Sequence, residues 1–395
     1  PVIDVRLEGD ELVLHQEQFF VGPHTATDTV WPVPLDASVK ELPDLFDTRE
    51  LRVPFVGEDM IYLNRNNTGH FIVNYDETLR QRIIQKLASG QLSDIQRAQF
   101  LNEQLMLARG GRLPSASLIE LLALYADEAN EKVWDTITLA IADLKRFVEA
   151  DEAAERKLRA FVATLARAQY KRLGLNPLPG ESEDDTKLRA TIVSCMVYGE
   201  NDEVITELCR QYDEQSLDEL DPELRALIIG TVVRQRGDDA IIDHLIEIYR
   251  STHSAELKGD ITAGLCSTKR PDVVARLLSI LKDESIIRRQ DLVRWYVGLL
   301  NSKYGRTQTW QWLRDEWPWI ESAFGGDKSY DYFPRYSGSL LRTRTQLDEY
   351  RTFFTPLRVN PALTRTIDMG LLDLEGRIDL LERDTPSVVR TLRDL

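Results

Sequence analysis

The chain has 395 residues, of which 43% are hydrophobic and 29% are charged, and its formal net charge is −16 at pH 7. These proportions are typical of a soluble globular protein with room for two or three domains. The negative charge argues against a general affinity for nucleic acid, because phosphate binding relies on clustered Lys and Arg. Neither a run of about 18 apolar residues nor a basic-then-apolar leader occurs, so we expect no membrane segment and no export signal.

Cysteine usage and the first residue give two further expectations. Cys195, Cys209 and Cys266 are odd in number and far apart, which favours a reduced, cytosolic-type interior. The chain starts at Pro1 rather than at a Met, so we expect a processed or excised piece of something longer.

Up to about residue 76 the apolar residues alternate with polar ones. Short β-branched and aromatic runs, separated by Gly, Pro and Asp, predict a small β-sandwich domain over residues 1–76. Pro32, Pro34 and Pro54 lie within such runs and are expected at edge strands or strand ends, because proline cannot donate to a strand ladder.

From residue 77 onward the apolar period is 3.6. Amphipathic helices are predicted, for example, over residues 224–232, 241–249 and 273–281. A long series of helix pairs predicts an α-solenoid of the HEAT or armadillo kind over residues 77–395, with its concave side as the binding surface. The polar stretch 177–185 is expected to be an exposed loop between helices. The predicted fold is therefore multidomain and mainly α, with an N-terminal sandwich followed by a large solenoid.

The residue types that would carry catalysis occur without the required spacing. The histidines are His15, His24, His70, His244 and His253. They form no His-Glu-x-x-His pair, and His70, in the stretch NNTGHFIVNYD, has no other plausible ligand nearby and is predicted to be a structural or surface residue. Nucleophile elbows and phosphate loops are absent as well. The residues therefore predict no catalytic centre and no metal site within the chain.

The region from Trp310 to Tyr336 is the densest aromatic part of the chain. It holds four of the seven tryptophans, whose helical spacing favours core packing. The stretch 328–336 that follows combines aromatic residues with cations and with glycine and proline breaks. Because Arg can bind a carboxylate through two hydrogen bonds and tyrosines can line a peptide groove, Tyr330, Arg335 and Tyr336 are candidate substrate-binding residues.

Several segments, taken together and in order, resemble the C-terminal half of aminopeptidase N, one of the gluzincin zinc aminopeptidases, and most closely the cytosolic enzymes of Gram-positive bacteria. They are GDELVLHQEQFF at 9–20, WPVPL at 31–35, LNRNNTGHFIVNYD at 63–76, RAQFLNEQLMLARGGRLP at 97–114, YKRLGLNPLPGESEDD at 170–185, IRRQDLVRWY at 287–296 and TWQWLRDEWPWIESAFGGDKSYDYF at 309–333.

The resemblance implies that this chain is a non-catalytic part of a cytoplasmic zinc aminopeptidase. Zinc and its ligands would belong to a catalytic domain upstream of Pro1, and this chain would bind none. It would form the wall and lid of the active-site chamber and contact peptide substrates beyond the cleaved bond, with no nucleic-acid or membrane partner. Arg288, Gln290 and Asp291 match a family segment at a helix start that faces the cavity; helix capping and inter-helix hydrogen bonding are the alternative roles for them.

The series of helix pairs also allows a second function, from another class of protein. In that alternative the chain is a stand-alone HEAT-like scaffold whose concave face holds a protein partner.

Overall fold

The computed structural model of the chain describes residues 1–22, 24–25, 27–57 and 60–395. It contains two compact units, one formed by residues 1–192 and 380–395 and the other by residues 193–379. The mainly helical class with N-terminal strands is confirmed. The predicted division into a 1–76 domain and a 77–395 domain stays a prediction, as does the solenoid.

The first unit opens with short strands. They are β1 (Val2–Glu8), β2 (Glu11–Glu17), β3 (Val33–Pro34), β4 (Leu45–Phe46), β5 (Glu50–Pro54) and β6 (Ile72–Tyr75). Four of them form a sheet in the order β5-β2-β1-β6, in which β1 pairs antiparallel with β2 and parallel with β6. The other two strands, β3 and β4, pair antiparallel in a second, two-stranded sheet. Pro34 and Pro54 end their strands, as predicted. The arrangement of the two sheets as a sandwich stays a prediction.

The described residues also form 17 α-helices. The first unit contains α1 (Glu77–Ala88), α2 (Asp94–Arg109), α3 (Ser117–Ala123), α4 (Glu131–Phe147), α5 (Glu152–Leu173), most of α6 (Glu183–Tyr198) and the end of α17 (Pro361–Asp394). The second unit contains the end of α6, α7 (Asp202–Glu214), α8 (Pro222–Gln235), α9 (Asp239–Ser251), α10 (Ala255–Leu265), α11 (Pro271–Ser279), α12 (Leu292–Asn301), α13 (Arg306–Asp315), α14 (Trp317–Phe324), α15 (Tyr332–Leu340), α16 (Arg344–Phe354) and the first part of α17, up to residue 379. Pro222 and Pro271 lie in first helical turns, where a missing N–H costs nothing.

The change from strands to helices is fixed by one carboxylate, that of Asp76. One of its oxygens accepts a hydrogen bond from the Leu79 N–H at 2.9 Å and so caps α1, because the first N–H groups of a helix lack partners within it. The other oxygen accepts from the Leu7 N–H at 2.7 Å. Asp76 therefore joins β1 to α1. His70 lies in the loop two residues before β6 and is exposed, which fits the prediction of a structural or surface histidine.

The stretch 177–185 is only partly the exposed loop that was predicted, because α6 begins at Glu183. The hydroxyl of Ser182 accepts from the Asp185 N–H at 3.1 Å, and acidic residues follow in the first turn, where the helix dipole favours them. The carboxylate of Glu181 binds the buried guanidinium of Arg189 through both oxygens. The ion pair between Glu181 and Arg189 therefore attaches the end of the loop to α6.

Candidate functional site

The second unit contains the candidate substrate-binding residues, and α15 carries two of them. Its inner face is buried and consists of Phe333, Pro334, Ser337 and Gly338. Its other face exposes Tyr332 and Arg335 and leaves Tyr336 half-buried. Because residues three and four apart lie on the same side of a helix, these three side chains share one face.

The exposed face of α15 presents a cation beside aromatic rings. Tyr332 and Tyr336 contact each other edge to face, with 5.9 Å between ring centroids. Arg335 has no ion-pair or hydrogen-bond partner for its guanidinium among the described residues. Its carbonyl, within the helix, also accepts from the Ser339 hydroxyl at 3.0 Å. Tyr332 was not among the predicted residues, although its spacing from Tyr336 could have identified it.

Hydrogen bonds hold the inner face of α15 in place. The Ser337 hydroxyl donates to the Phe333 carbonyl at 2.5 Å and forms a 2.7 Å hydrogen bond with the phenol of Tyr296 on α12. The Tyr350 phenol of α16 donates to the Pro334 carbonyl at 3.0 Å. All of these groups are buried, so α15 has little freedom to turn its outer face away.

A close backbone contact fixes α15 against α17 as well. A Cβ atom added to Gly338 would lie 2.5 Å from the Cα of Gly370, so the two helices meet without side chains between them. Arg377, about two turns further along α17, donates to the Gly338 carbonyl at 2.8 Å. Glycine is required at this crossing because any side chain would push the helices apart.

Tyr330 does not lie on that exposed face. Its side chain is 1% exposed, stacks on Trp317 with 5.4 Å between ring centroids, and donates to the carboxylate of Glu321 at 3.2 Å. Direct contact with a peptide would require the segment to move. In this structure Tyr330 is a packing residue, which the sequence could not show because aromatic residues serve both roles.

Two of the four tryptophans of this region are buried, as the helical spacing predicted, and Trp312 and Trp319 are half-buried. Trp310 and Trp317 are buried against Phe353 and Phe354. The indole N–H of Trp310 donates to Glu349 at 2.7 Å, which satisfies its only polar atom. The cluster is therefore a core rather than a ligand cage.

The second predicted segment, residues 288–291, lies at the start of α12, as expected. Arg288 and Gln290 are exposed, and Asp291 is half-buried. Asp291 makes no side-chain capping hydrogen bond to α12, so the alternative capping role is not seen for it. The neighbouring Arg289, by contrast, is paired with Glu284 at 2.7 Å.

The packing of α12 on α15 brings the two segments into one part of the unit. The rings of Tyr296 and Phe333 lie 5.4 Å apart between centroids, next to the hydrogen bond of Tyr296 with Ser337. Within the described part of the chain, no hydrogen bond or ion pair joins Arg288, Gln290 or Asp291 to Arg335 or Tyr336. The roles of these residues toward a substrate stay predictions.

The described residues offer no set of ligands that fits a zinc ion. Nowhere in the part of the chain that the structure describes do three or more His, Cys, Asp or Glu side chains come together in a way that could hold a metal. His244 and His253 are exposed. Separately, none of the described helices is both long and apolar enough to cross a membrane.

Comparison with known proteins relates the chain to aminopeptidases. It is 28% identical to aminopeptidase N of Lactococcus lactis subsp. lactis, over 100% of this chain and 47% of that protein. It is 31% identical to aminopeptidase N of Lactobacillus delbrueckii subsp. lactis, over 98% of this chain and 47% of that protein. Aminopeptidase M1-C of Oryza sativa subsp. japonica is 26% identical, over 94% of this chain and 44% of that protein.

The chain thus spans about half the length of the curated relatives it matches. The family profile described as ERAP1-like C-terminal domain matches residues 60–375, a range that includes every candidate substrate-binding residue. On this evidence the chain belongs to the family of ERAP1-like C-terminal domains.

Proposed function

We propose that the chain is the non-catalytic C-terminal part of a zinc-dependent aminopeptidase that removes N-terminal amino acids from peptides. The observation that carries this proposal is the match of nearly the whole chain to about half of proteins named aminopeptidase N. The hydrolytic centre would then belong to the remaining half of such an enzyme. We also propose a cytoplasmic location, which rests on the resemblance to the bacterial enzymes.

Zinc would be held outside the residues described here, because they offer no fitting ligand set. When bound, zinc supplies a polarised water for peptide hydrolysis. The contribution of this chain would be to enclose the substrate and to contact the peptide beyond the cleaved bond. No chemical step is assigned to its own residues.

The outer face of α15 is the surface we propose for peptide contact. A guanidinium without a partner can bind the carboxylate or a carbonyl of a peptide, and the adjoining tyrosines offer apolar edges with polar tips. The rigid attachment of the inner face supports this role, since a preorganised surface loses less entropy on binding. Arg288, Gln290 and Asp291 at the start of α12 are proposed as further contacts, and Tyr330 as a residue that supports the segment from below.

The division of labour can be tested with two proteins. One is the 395-residue chain, and the other is the same chain preceded by the rest of its reading frame. We expect the longer protein to contain stoichiometric zinc and to hydrolyse an aminoacyl anilide, and the chain alone to do neither. Stoichiometric zinc in the isolated chain would contradict the proposal. A natural start codon adjacent to Pro1, together with one stable macromolecular partner in a pull-down, would favour the scaffold function instead.

The peptide-contact surface is tested by Arg335→Ala and Tyr336→Ala in the hydrolytically active protein. We expect KM to rise for longer peptides by about tenfold, which corresponds to about 1.4 kcal/mol, with kcat unchanged, because the lost contact stabilises the bound substrate and the transition state equally. Hydrolysis of an aminoacyl anilide, which is too short to reach this face, should be unaffected.

A matched control for these variants is Arg365→Ala, which removes an exposed arginine from α17. It should leave KM unchanged for every peptide length. Equal kinetics of all three variants and the wild type, across peptides of several lengths, would remove α15 from the binding surface.

A further inference from the structure

A cavity of about 650 Å³ lies in the first unit. It is lined by the end of α1, the first turn of α2 and the connection between α3 and α4. Its volume is in the range of pockets that hold small organic molecules. None of the candidate substrate-binding residues lines it, so its role is a separate question from that of α15.

The carboxylates that line the cavity outnumber the cations. Asp94, Asp127 and Glu128 line it, and Arg97 is the cation beside them. The guanidinium of Arg97 binds both carboxylate oxygens of Glu128, at 2.5 Å and 3.0 Å, and also donates to the Leu92 carbonyl at 2.9 Å. Because Arg97 and Glu128 neutralise each other, the lining keeps the two negative charges of Asp94 and Asp127.

Both of these aspartates are exposed, and neither forms an ion pair within the described residues. The carboxylate of Asp127 has no hydrogen-bond partner there either. That of Asp94 accepts from the Asn130 amide at 3.1 Å and from the Ile95 N–H at 3.1 Å. A carboxylate has about four acceptor sites, so both aspartates can still accept hydrogen bonds from a ligand.

The helix ends beside the cavity also favour a cation over an anion. At the start of α4, Asn130 accepts from the N–H groups of Lys132 and Val133, and Glu128 accepts from those of Ala129 and Asn130. The start of α2 is closed by a capping box. The backbone donors that an anion would need there are therefore already used, whereas the carbonyl end of α1 carries the negative pole of its helix dipole.

Apolar groups complete a wall that is already in place. Leu87 and Tyr125 are buried, and Leu124 is 40% exposed, so the lining includes apolar surface that a ligand can reach. The Tyr125 phenol donates to the Arg97 carbonyl at 2.9 Å. This bond and the pair of Arg97 with Glu128 both join α2 to the connection between α3 and α4. A cavity preformed in this way loses little entropy when a ligand enters it.

We propose that this cavity binds a small aliphatic amine in its ammonium form. The ammonium donates hydrogen bonds to the carboxylates of Asp94 and Asp127, and the alkyl chain lies against Leu124 and Tyr125. A simple alkyl ammonium, like that of lysine with its ordinary pKa of about 10.4, keeps its charge at neutral pH. The site does not depend on the aminopeptidase function.

Isothermal titration calorimetry of the 395-residue chain with pentylamine tests the site, at neutral pH and at an ionic strength held constant with sodium chloride. We expect a saturable 1:1 isotherm, and no saturation with 1-pentanol, which has the same alkyl chain without the charge. Asp127→Asn should weaken Kd by up to about fivefold, as expected for an exposed ion pair. Asp94→Asn combined with Asp127→Asn should weaken it by about tenfold or more.

Asp10→Asn is the matched control, because Asp10 is an exposed aspartate in the turn between β1 and β2 and does not line the cavity. It changes the net charge equally and should leave Kd unchanged. If the double variant does not fold, Asp127→Asn decides the test, since its carboxylate has no partner in the described structure. Heat that does not saturate with pentylamine, equal binding of 1-pentanol, or an unchanged Kd in Asp127→Asn would overturn the proposal.

Discussion

Replacing Glu103 by Gln should remove a loss of stability that the chain undergoes as the pH rises from about 4.5 to about 8. The Glu103 side chain lies between α2 and β6 and is 3% exposed. Its Oε1 accepts from Gln99 at 3.1 Å, and the Val73 N–H also hydrogen-bonds to it, while Oε2 is buried without a partner among the described residues. The phenols of Tyr62 and Tyr75 face it, and both are buried.

The sign and the size of the effect follow from the pKa of the Glu103 carboxyl. Burial raises this pKa from 4.5 to about 8, against the smaller opposing effects of the Gln99 and Val73 hydrogen bonds. Between these two pH values the folded chain holds a proton that the unfolded chain has released. Stability is therefore fully present below pH 4.5 and falls by about 1.4 kcal/mol per pH unit until the folded carboxyl ionises, which is of the order of 5 kcal/mol in total.

Urea unfolding followed by circular dichroism at pH 5.5 and 7.5 measures the effect. Across these two pH units the free energy of unfolding of the wild type should fall by roughly 2–3 kcal/mol more than that of Glu103→Gln, because a neutral amide cannot ionise. Glu120→Gln, at an exposed position on α3, is the control and should behave like the wild type. The reasoning would be refuted if Glu103→Gln and the wild type showed the same dependence on pH.

Two further substitutions test contacts that position the helices. Gly338→Ala should lower the free energy of unfolding by about 1–3 kcal/mol, because its Cβ would lie 2.5 Å from the Gly370 Cα. Gly326→Ala is the control and should leave the free energy of unfolding unchanged, because a Cβ there would meet nothing within 4 Å. Denaturant midpoints of the two variants measure the difference. Glu181→Gln should lower the midpoint of thermal unfolding, because the guanidinium of Arg189, which is 1% exposed, would lose its charged partner. An unchanged midpoint in calorimetry would contradict the second expectation.

The class of fold could be predicted from the sequence because it depends on local periodicity. Apolar and polar residues alternate before residue 76, and apolar residues recur with a period of 3.6 after residue 77. Asp76 caps the first helix at the point where the period changes. Pro222 and Pro271 are likewise interpretable as helix starts, since the missing N–H costs nothing in a first helical turn. Each of these features involves residues that are close in the chain.

Features that depend on distant partners could not be predicted in the same way. The pairing of Glu181, at the end of the 177–182 loop, with the buried guanidinium of Arg189 was not predicted. Tyr330 and Tyr336 are the same residue type six positions apart, yet one is packed on Trp317 and the other adjoins the open face of α15. Burial depends on which helix lies opposite, and that information is not local.

By itself the sequence determined the order of strands and helices, the resemblance to the C-terminal half of aminopeptidase N, and the segments in which candidate contacts lie. Only the tertiary structure decided which side chains of those segments face solvent, and that the guanidinium of Arg294 lies over α10 at Gly259, 35 positions earlier in the chain. The physical reason is that helix periodicity arises from hydrogen bonds and apolar spacing within a few residues. Side-chain exposure, and the contacts between residues of different helices, arise from packing between helices.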